Sequence, residues 1–343
     1  GANTILNQAM NFGSDDYSMA QYTDGPDDEN MIFFNTSKLG FVRQNEIQVS
    51  PRQINEYVLY HKNPALNSIG DTTYFYFYAC HLKASDTSTD AAERAAAAAV
   101  LKSYLSLRPN PENTIVGGDM NIYGSSELAY VYFTGETQAN LFDPMGSGEY
   151  NNNSSFAGIH TQSTRIENFD GGSIGGLDDR FDMMLMSDDL RYGLSGAQFV
   201  QGSYRAIGQD GNHFNESLIS PPANNSEPID VINALYFMSD HLPIFMELEI
   251  VVPSWVSSFA ASSKLSISPN PSSGKFKIFS GPQGFNNAEI RIIDGMGEIV
   301  FTETGVVIPA GGSHEVNESL SSGVYLVRIE DESGVSNARM IIH

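Results

Sequence analysis

The sequence of 343 residues is poor in basic side chains, in cysteine and in long apolar runs. Lysine and arginine together number 18 against 41 acidic residues, which gives a formal charge of −23. Proteins that coat nucleic acid without specificity present a basic face, so this charge argues against that class. It does not exclude an enzyme that meets phosphate through a metal ion, because the cation supplies the missing positive charge.

The single cysteine, Cys80, excludes an internal disulfide and a metal site made of several thiolates. It lies in the apolar stretch YFYFYACHL, which favours a small core residue over a reactive thiol. No run of about 18 apolar residues is present, so no segment is predicted to insert stably in a membrane. The opening GANTILNQAMNF has neither the basic start nor the apolar segment that is typical of a signal peptide.

Strand-like and helical patterns fill the first part of the chain. Runs rich in aromatic and β-branched residues predict strands, and these runs are ENMIFFNT, INEYVLYHK, TTYFYFYACHL, NTIVGGD, DRFDMMLMS and LPIFMELEIVV. The stretch STDAAERAAAAAVLKSYLSL predicts a helix, with Asp90 and Glu93 as its N-terminal capping pattern. Its alanine run indicates close packing on a sheet. We therefore predict an α/β domain over residues 1–251, with long loops at 143–178 and 203–228 that could form a site.

The composition changes beyond this domain. A stretch rich in Ser and Ala at residues 252–264 predicts a linker. Short alternating strands broken by turns follow, as in LSISPNPSSGKFKIF, EIRIIDGMGEIVF and GVYLVRIEDESGVSNARMIIH, and predict a small all-β, immunoglobulin-like sandwich over residues 265–343. Apart from the terminal residue, this part contains one histidine, His314, and no cluster of acid–base groups, so we assign it no chemistry.

Polar side chains stand at the ends of four predicted strands, in ACHLKAS, IVGGDMNIY, LDDRFDMML and MSDHLPIF. Strand ends are where α/β sheets collect catalytic side chains. Each motif alone has an ordinary interpretation, since Gly and Asn mark turns and single histidines are often structural. A carboxylate within an apolar strand costs several kcal/mol unless a partner holds it. The candidate residues are His81, Asp119, Asn121, Asp182, Asp240 and His241.

In this order along the chain, the motifs resemble the endonuclease/exonuclease/phosphatase superfamily over about residues 30–251. The resemblance implies a DNase I-like two-sheet α/β sandwich and hydrolysis of phosphodiesters with a divalent metal. That class includes DNase I-like nucleases, abasic-site endonucleases and neutral sphingomyelinases. By resemblance, Asp119 and Asn121 position the attacking water and contact the phosphate. His241 acts as the acid–base or phosphate-contacting histidine, and Asp182 orients it. His81 binds the phosphate or assists the leaving group.

The same resemblance implies that Asp240, Asp119 and Asn121 bind Mg²⁺, or Mn²⁺ or Ca²⁺ in its place, because hard cations take oxygen ligands. The glycines before Asp119, Gly117 and Gly118, would allow the backbone to approach the substrate closely.

Three further residues are candidates for substrate binding. His160 and Arg165 lie in GIHTQSTRIENF, and an arginine near a cleft could clamp a phosphate as a fork. Asn215 lies in GQDGNHFNES, which is otherwise a turn.

One part of the family pattern is not found. The family begins with a strand ending in Asn, and a later strand ends in Gln-Glu, whose glutamate is the principal metal ligand. Here GANTILNQAMNFG is similar to the helix after the Gln-Glu strand, so we expect either that the chain lacks its N-terminal portion or that its sheet and metal site are incomplete. Asp15, Asp16 and Glu29 are interpreted as ordinary solvated loop acids.

The segments SPNPSSGKFKI and GVYLVRI resemble the type A sorting domain of the type IX secretion system. This implies a secreted or surface enzyme of the Bacteroidetes type, with the secretion machinery as a partner. The predicted function is an extracellular nuclease that depends on a divalent metal. A sphingomyelinase-like or other small phosphoester hydrolase is an alternative, and so is a non-catalytic surface or binding module with an incomplete metal site.

Overall fold

The computed structural model describes residues 1–23, 30–63, 72–108, 112–135, 139–169, 171–251, 265–281, 284–295, 297–332 and 334–342. The chain divides into two compact units, Gly1–Ser257 and Ser258–His343. The first is mixed α/β and the second is all-β with antiparallel sheets, which confirms the predicted fold classes. The predicted linker at residues 252–264 lies outside the described residues.

A six-stranded mixed sheet forms the centre of the first unit. The strands of this unit are β1 (Tyr17–Met19), β2 (Phe33–Asn35), β3 (Leu39–Ile47), β4 (Ile54–His61), β5 (Tyr74–His81), β6 (Thr114–Asp119), β7 (Leu141–Phe142), β8 (Asp182–Ser187), β9 (Ala197–Phe199), β10 (Arg205–Ala206), β11 (Ile244–Phe245) and β12 (Leu248–Ile250). The strand order in the six-stranded sheet is β3-β4-β5-β6-β8-β7. In this sheet β5 and β6 run parallel, and the other neighbouring pairs are antiparallel.

The helices of this unit are α1 (Ala2–Thr4, continued by the π-helical turn Ile5–Met10), α2 (Ser88–Ser106), α3 (Leu128–Thr134), α4 (Asp188–Tyr192) and α5 (Ile229–Met238), with a 3₁₀ turn at Ser154–Ile159. The predicted cap of α2 is corrected: the N-cap is Thr87, whose hydroxyl oxygen accepts from the Asp90 N–H at 3.2 Å. Among the described residues, no helix has both the length and the apolar character that a membrane crossing requires.

The two faces of the sheet are covered differently. On one face, small side chains of α2 such as Ala97 and Ala98 pack on Val116 and Leu185, as the alanine run indicated. The opposite face is covered by the short pairs β9–β12 and β10–β11, so the second layer consists of two-stranded pieces in the described part of the chain. A cavity of about 240 Å³ on this opposite face is lined by apolar side chains and reaches Asp182.

The second unit is the predicted sandwich. Its strands are β13 (Leu265–Ser268), β14 (Lys275–Ser280), β15 (Phe285–Ile293), β16 (Ile299–Ile308), β17 (Ser313–Asn317), β18 (Gly323–Asp331) and β19 (Gly334–Ile342). They form a three-stranded sheet, β13-β14-β17, and a four-stranded sheet, β16-β15-β18-β19. Side chains from both sheets make one apolar core, which includes Phe276, Ile278, Ile290 and Val327.

Candidate active site

Three of the predicted site residues lie in one row across three neighbouring strands. The parallel pairing of β5 and β6 sets His81 beside Asp119, and the antiparallel pairing of β6 and β8 sets Asp119 beside Asp182. Residues directly opposite each other on neighbouring strands project to the same face of a sheet. The row therefore presents one imidazole and two carboxylates on a single face at the end of the sheet.

The glycines before Asp119 allow the neighbouring strands of the sheet to pack closely against β6. Gly118 has φ +133°, and a Cβ at this position would lie 2.0 Å from the carbonyl oxygen of Cys80 on β5. A side chain is therefore excluded by the neighbouring strand, and the expectation that Gly118 makes room for substrate is corrected. Gly117 is similarly close to Met184, where a Cβ would lie 2.9 Å from the Cγ atom of the Met184 side chain.

His241 reaches the row from the segment between α5 and β11. Its N–H donates to Ser239 Oγ at 3.0 Å, and the neighbouring Asp240 carbonyl accepts from the Thr164 N–H at 3.1 Å. The ring is thereby directed at β8, where His241 Nδ1 donates to Asp182 Oδ2 at 2.7 Å. The partner that a carboxylate inside an apolar strand requires is thus His241.

Asp119 lies between two imidazoles. Its Oδ2 is 3.4 Å from His81 Nε2 and 3.9 Å from His241 Nε2. Its Oδ1 accepts from the Asn121 N–H at 3.1 Å. Burial raises the pKa of the Asp119 carboxyl, and the nearby Asp182 raises it further, which outweighs the lowering by His241, His81 and the Asn121 N–H. Asp119 is therefore a stronger base than an exposed aspartate.

The surroundings of His241 favour its protonated form. Burial lowers the pKa of the ring, but the hydrogen bond and charge of Asp182, together with the charges of Asp119 and Asp240, outweigh this effect and raise the pKa to about 9. The ring is therefore a cation at neutral pH, able to donate from Nε2 to an anionic oxygen.

Asn121 connects the ends of two strands. Its backbone is left-handed, with φ +49°, which Asn tolerates better than most residues. Its Nδ2 donates to the carbonyl oxygen of Leu82 at 3.2 Å, directly after His81. The carboxamide therefore fixes the segment that carries His81 relative to the one that carries Asp119.

The predicted metal donors are two carboxylates and a carboxamide, which offer the oxygen chemistry that Mg²⁺ takes. Asp240 Oδ2, however, accepts from the Ser173 N–H at 2.6 Å, and Asp119 is contacted as described above. The described residues contain no group of three or more His, Cys, Asp or Glu side chains that could hold a metal ion. As arranged here, Asp119, Asn121 and Asp240 do not form a metal site. Asp15 and Asp16 are exposed in the loop before β1, and Glu29 lies outside the described residues.

Two predicted substrate ligands are corrected. Arg165 is 4% exposed, and its guanidinium donates to the carbonyl oxygens of Tyr236, Phe237, Phe169 and Gly171, so it holds the loop against the end of α5. His160 is fully buried, and its Nε2 lies 2.9 Å from the carbonyl oxygen of Tyr150. Burial lowers the pKa of His160. Both residues are parts of the fold, so neither faces a substrate.

Asn215 lies on the surface and links two loops. Its φ is +57°, and its Nδ2 donates to Asn152 Oδ1 at 2.8 Å. Its role in substrate binding stays a prediction.

One residue near the site, Gln162, was not a candidate from the sequence. Its carboxamide nitrogen lies 2.5 Å from His241 Nε2. Gln162 lies in a loop with no periodic pattern, so it carries no signal in the sequence. Asp179 shares the motif LDDRFDMML with Asp182 at the start of the predicted strand, without an assigned role. It accepts from Asn151 Nδ2 at 2.6 Å, and burial raises the pKa of its carboxyl to about 6.

The sequence matches a known family in its C-terminal part. Residues 266–343 match the model of the secretion system C-terminal sorting domain. The match confirms the predicted resemblance of this unit. It indicates export by the type IX secretion system, to the cell surface or the extracellular space. A comparison with curated proteins finds no match.

Solved structures with a similar fold include endonuclease/exonuclease/phosphatase proteins. A humanized TDP2 from D. rerio has 16% identity and a TM-score of 0.41, with 72% of this chain and 80% of that chain covered. TDP2 from D. rerio complexed with a single-strand DNA product has 15% identity and a TM-score of 0.40, with 72% of this chain and 81% of that chain covered. An endonuclease/exonuclease/phosphatase from Beutenbergia cavernae DSM 12333 has 10% identity and a TM-score of 0.36, with 91% of this chain and 75% of that chain covered. These values are low, so the assignment of the site depends on its own geometry.

Proposed function

We propose that this protein is a secreted phosphodiesterase and that its first substrate candidate is nucleic acid, with His81, Asp119, Asn121, Asp182 and His241 as its site. The observation that supports this most strongly is the position of the Asp119 carboxylate between two imidazoles, with His241 oriented by Asp182. A base and two potential proton donors that converge on one place are what hydrolysis of a phosphodiester requires.

In the proposed reaction, a water oxygen forms a bond to phosphorus as the bond between phosphorus and the leaving oxygen breaks. Asp119 accepts the proton that the water loses, which its raised pKa favours. His241, protonated and held by Asp182, donates a hydrogen bond to a phosphoryl oxygen, where negative charge increases. His81, on the other side of Asp119, gives a proton to the leaving oxygen. Two products result, one with the phosphomonoester and the other with the hydroxyl group.

A divalent cation is the predicted cofactor and belongs to this proposal. When bound, it would supply positive charge to the phosphoryl oxygens. This chain has a formal charge of −23, so such a cation would also offset repulsion between the protein and an anionic substrate.

The direct test is hydrolysis of bis(4-nitrophenyl) phosphate and nicking of supercoiled plasmid by the purified chain, with Mg²⁺, Mn²⁺ or Ca²⁺ present. We expect turnover that His241→Ala removes. Failure to hydrolyse any phosphodiester, by a folded protein, would instead favour the non-catalytic binding module.

A lipid or small phosphoester is the second candidate substrate, and a surface beside the site favours it. Phe237 and Met238, which end α5 just before Asp240, are 65% and 69% exposed. The Phe237 ring packs on Tyr236 and Phe169, with ring centroids 5.0 and 5.7 Å away. Exposed apolar surface next to a catalytic site suits a substrate with an apolar part. Sphingomyelin hydrolysis, assayed beside plasmid nicking, separates the two candidates.

A further inference from the structure

The imidazole of His241 is contacted at both nitrogens by side chains of the protein. Asp182 Oδ2 lies 2.7 Å from Nδ1, and the amide nitrogen of the Gln162 carboxamide, a donor, lies 2.5 Å from the ring Nε2. Nε2 is also the nitrogen that faces Asp119, at 3.9 Å. Gln162 therefore stands where the ring of His241 would meet a substrate.

The backbone of Gln162 is fixed by the segment that leads into β8. Its N–H donates to the Asp179 carbonyl oxygen at 3.1 Å, and its own carbonyl oxygen accepts from Asp178 and Asp179 at 2.9 and 3.0 Å. On its other side, Thr161 accepts from the Leu242 N–H at 2.8 Å, directly after His241. Backbone hydrogen bonds therefore connect Gln162 to the segment that carries Asp182 and to the segment that carries His241. These contacts define the direction of its side chain.

The chemistry of the two contacts differs. An ionised carboxylate only accepts hydrogen bonds, so the contact with Asp182 requires a proton on Nδ1. Nε2 then accepts a hydrogen bond when the ring is neutral and donates one when the ring is protonated. A carboxamide carries a donor and an acceptor that a half turn of the group exchanges, so glutamine can serve His241 in both states. Glutamate in its ionised form could serve only the protonated ring, and methionine neither.

We propose that Gln162 is a positioning residue for His241. Before substrate binds, the Gln162 carboxamide holds the imidazole in line with Asp182. When substrate binds, the carboxamide exchanges this hydrogen bond for one to the same phosphoryl oxygen that His241 Nε2 contacts. This inference rests on the proposed function for its second half. The first half, the hydrogen bond to the ring, concerns the free protein and is independent of any substrate.

The test compares Gln162→Met, which keeps the length and shape of the side chain without its polar atoms, with Gln162→Glu, which keeps an acceptor and adds a charge. The control is Gln198→Met, because Gln198 is an exposed glutamine on β9. For each variant, kcat and KM on bis(4-nitrophenyl) phosphate, the Tm, and the ring ¹⁵N resonances of His241 would be measured. The His241→Ala variant assigns those resonances.

We expect Gln162→Met to shift the His241 ring resonances and to lower kcat by about 10-fold, the effect of one lost hydrogen bond to a charged group, with KM changed less. Gln162→Glu should keep the ring resonances of the protonated form but raise KM, since a carboxylate repels phosphate. The Tm of both variants should stay close to that of the Gln198→Met control.

Three outcomes would overturn the proposal. These are unchanged ring resonances in Gln162→Met, a kcat within twofold of the wild-type value, or a loss of activity that only follows a fall in Tm. If the wild-type protein hydrolyses no phosphodiester, the proposed function fails, and the ring resonances still decide whether Gln162 holds His241.

Discussion

Asp182 Oδ2 lies 2.7 Å from His241 Nδ1, although 59 residues separate the two along the chain. The contact forms because β8, which lies between β6 and β7, begins at Asp182, and the segment after α5 returns His241 to the same end of the sheet. A carboxylate in this position fixes the tautomer of the ring and stabilises its protonated form.

Replacement of Asp182 by asparagine should lower kcat by about 100-fold, the scale of an acid–base contribution. The amide can donate to Nδ1, which would place the ring proton on Nε2 and reverse the polarity of the site. Steady-state kinetics with bis(4-nitrophenyl) phosphate measure the effect. Asp188→Asn is the matched control, because Asp188 is an exposed acid whose side chain lies 3.9 Å from Arg191. Equal kcat values for the two variants would contradict the assigned role.

His241→Ala and Asp119→Ala should each lower phosphodiesterase activity by at least about 100-fold, because each removes an acid–base or electrostatic group. The fold should be retained, since both side chains lie at the end of the sheet. Circular dichroism and thermal unfolding check the fold beside the activity assay. Near-wild-type turnover in either variant would remove that residue from the site.

Chelation with EDTA should abolish hydrolysis, and Mg²⁺ added in excess should restore it. Asp240→Asn should leave Mg²⁺ binding unchanged, because Asp240 Oδ2 already accepts from the Ser173 N–H and the described residues form no metal site around it. Isothermal titration calorimetry measures binding without reference to turnover, again with Asp188→Asn as the control. Activity that persists in EDTA would show that the protein groups act without a divalent cation.

Removal of the sorting unit should separate catalysis from export. A chain that ends near Ser257 contains the whole first unit and every assigned site residue, so its kcat and KM should match those of the full chain. In the producing cell it should remain unexported, because residues 266–343 carry the sorting-domain match. Fractionation of cells and medium tests export. Loss of turnover without unfolding of the first unit would refute this division of labour.

Stability should depend on pH through His213, which is buried in the loop after β10. Its Nδ1 donates to Asp210 Oδ1 at 2.8 Å, and its Nε2 donates to the carbonyl oxygens of Ser220 and Pro222 at 2.8 and 3.0 Å. Burial lowers the pKa of the ring, but the three acceptors outweigh it and raise the pKa above the ordinary value. The stabilisation is therefore complete below the unfolded pKa of about 6.5 and is lost as pH rises through the folded pKa.

The measurement is the Tm of the wild type and of His213→Gln across the pH range from about 5 to about 9, which brackets the ordinary histidine pKa. The difference between the two should be largest at the acidic end and should shrink as pH rises. Asp210→Asn, which removes the charged acceptor, should reduce the pH dependence. A difference that stays constant with pH would rule out a protonated His213 as its source.

The sequence by itself determined the two-unit division of the chain and the position of several site residues at strand ends. Strand patterns placed His81 at the end of β5 and Asp119 at the end of β6, because alternation and turn residues are local properties of the chain. The same patterns indicated that Asp182, inside an apolar strand, needed a partner, and the resemblance to the endonuclease/exonuclease/phosphatase superfamily implied that this partner is His241. The division into an α/β unit and an all-β sandwich followed from a change of composition that is visible without any structure.

Only the tertiary structure decided which polar groups face the site and which support the fold. Arginine is a common phosphate ligand, but the guanidinium of Arg165 donates its hydrogen bonds to carbonyl oxygens at the end of α5, more than 70 residues away in the chain. Gln162 had no distinguishing pattern, yet it contacts His241 across a separation of 79 residues. Such contacts depend on how distant segments pack, and a hydrogen-bond donor in a sequence does not reveal which acceptor the fold will bring to it.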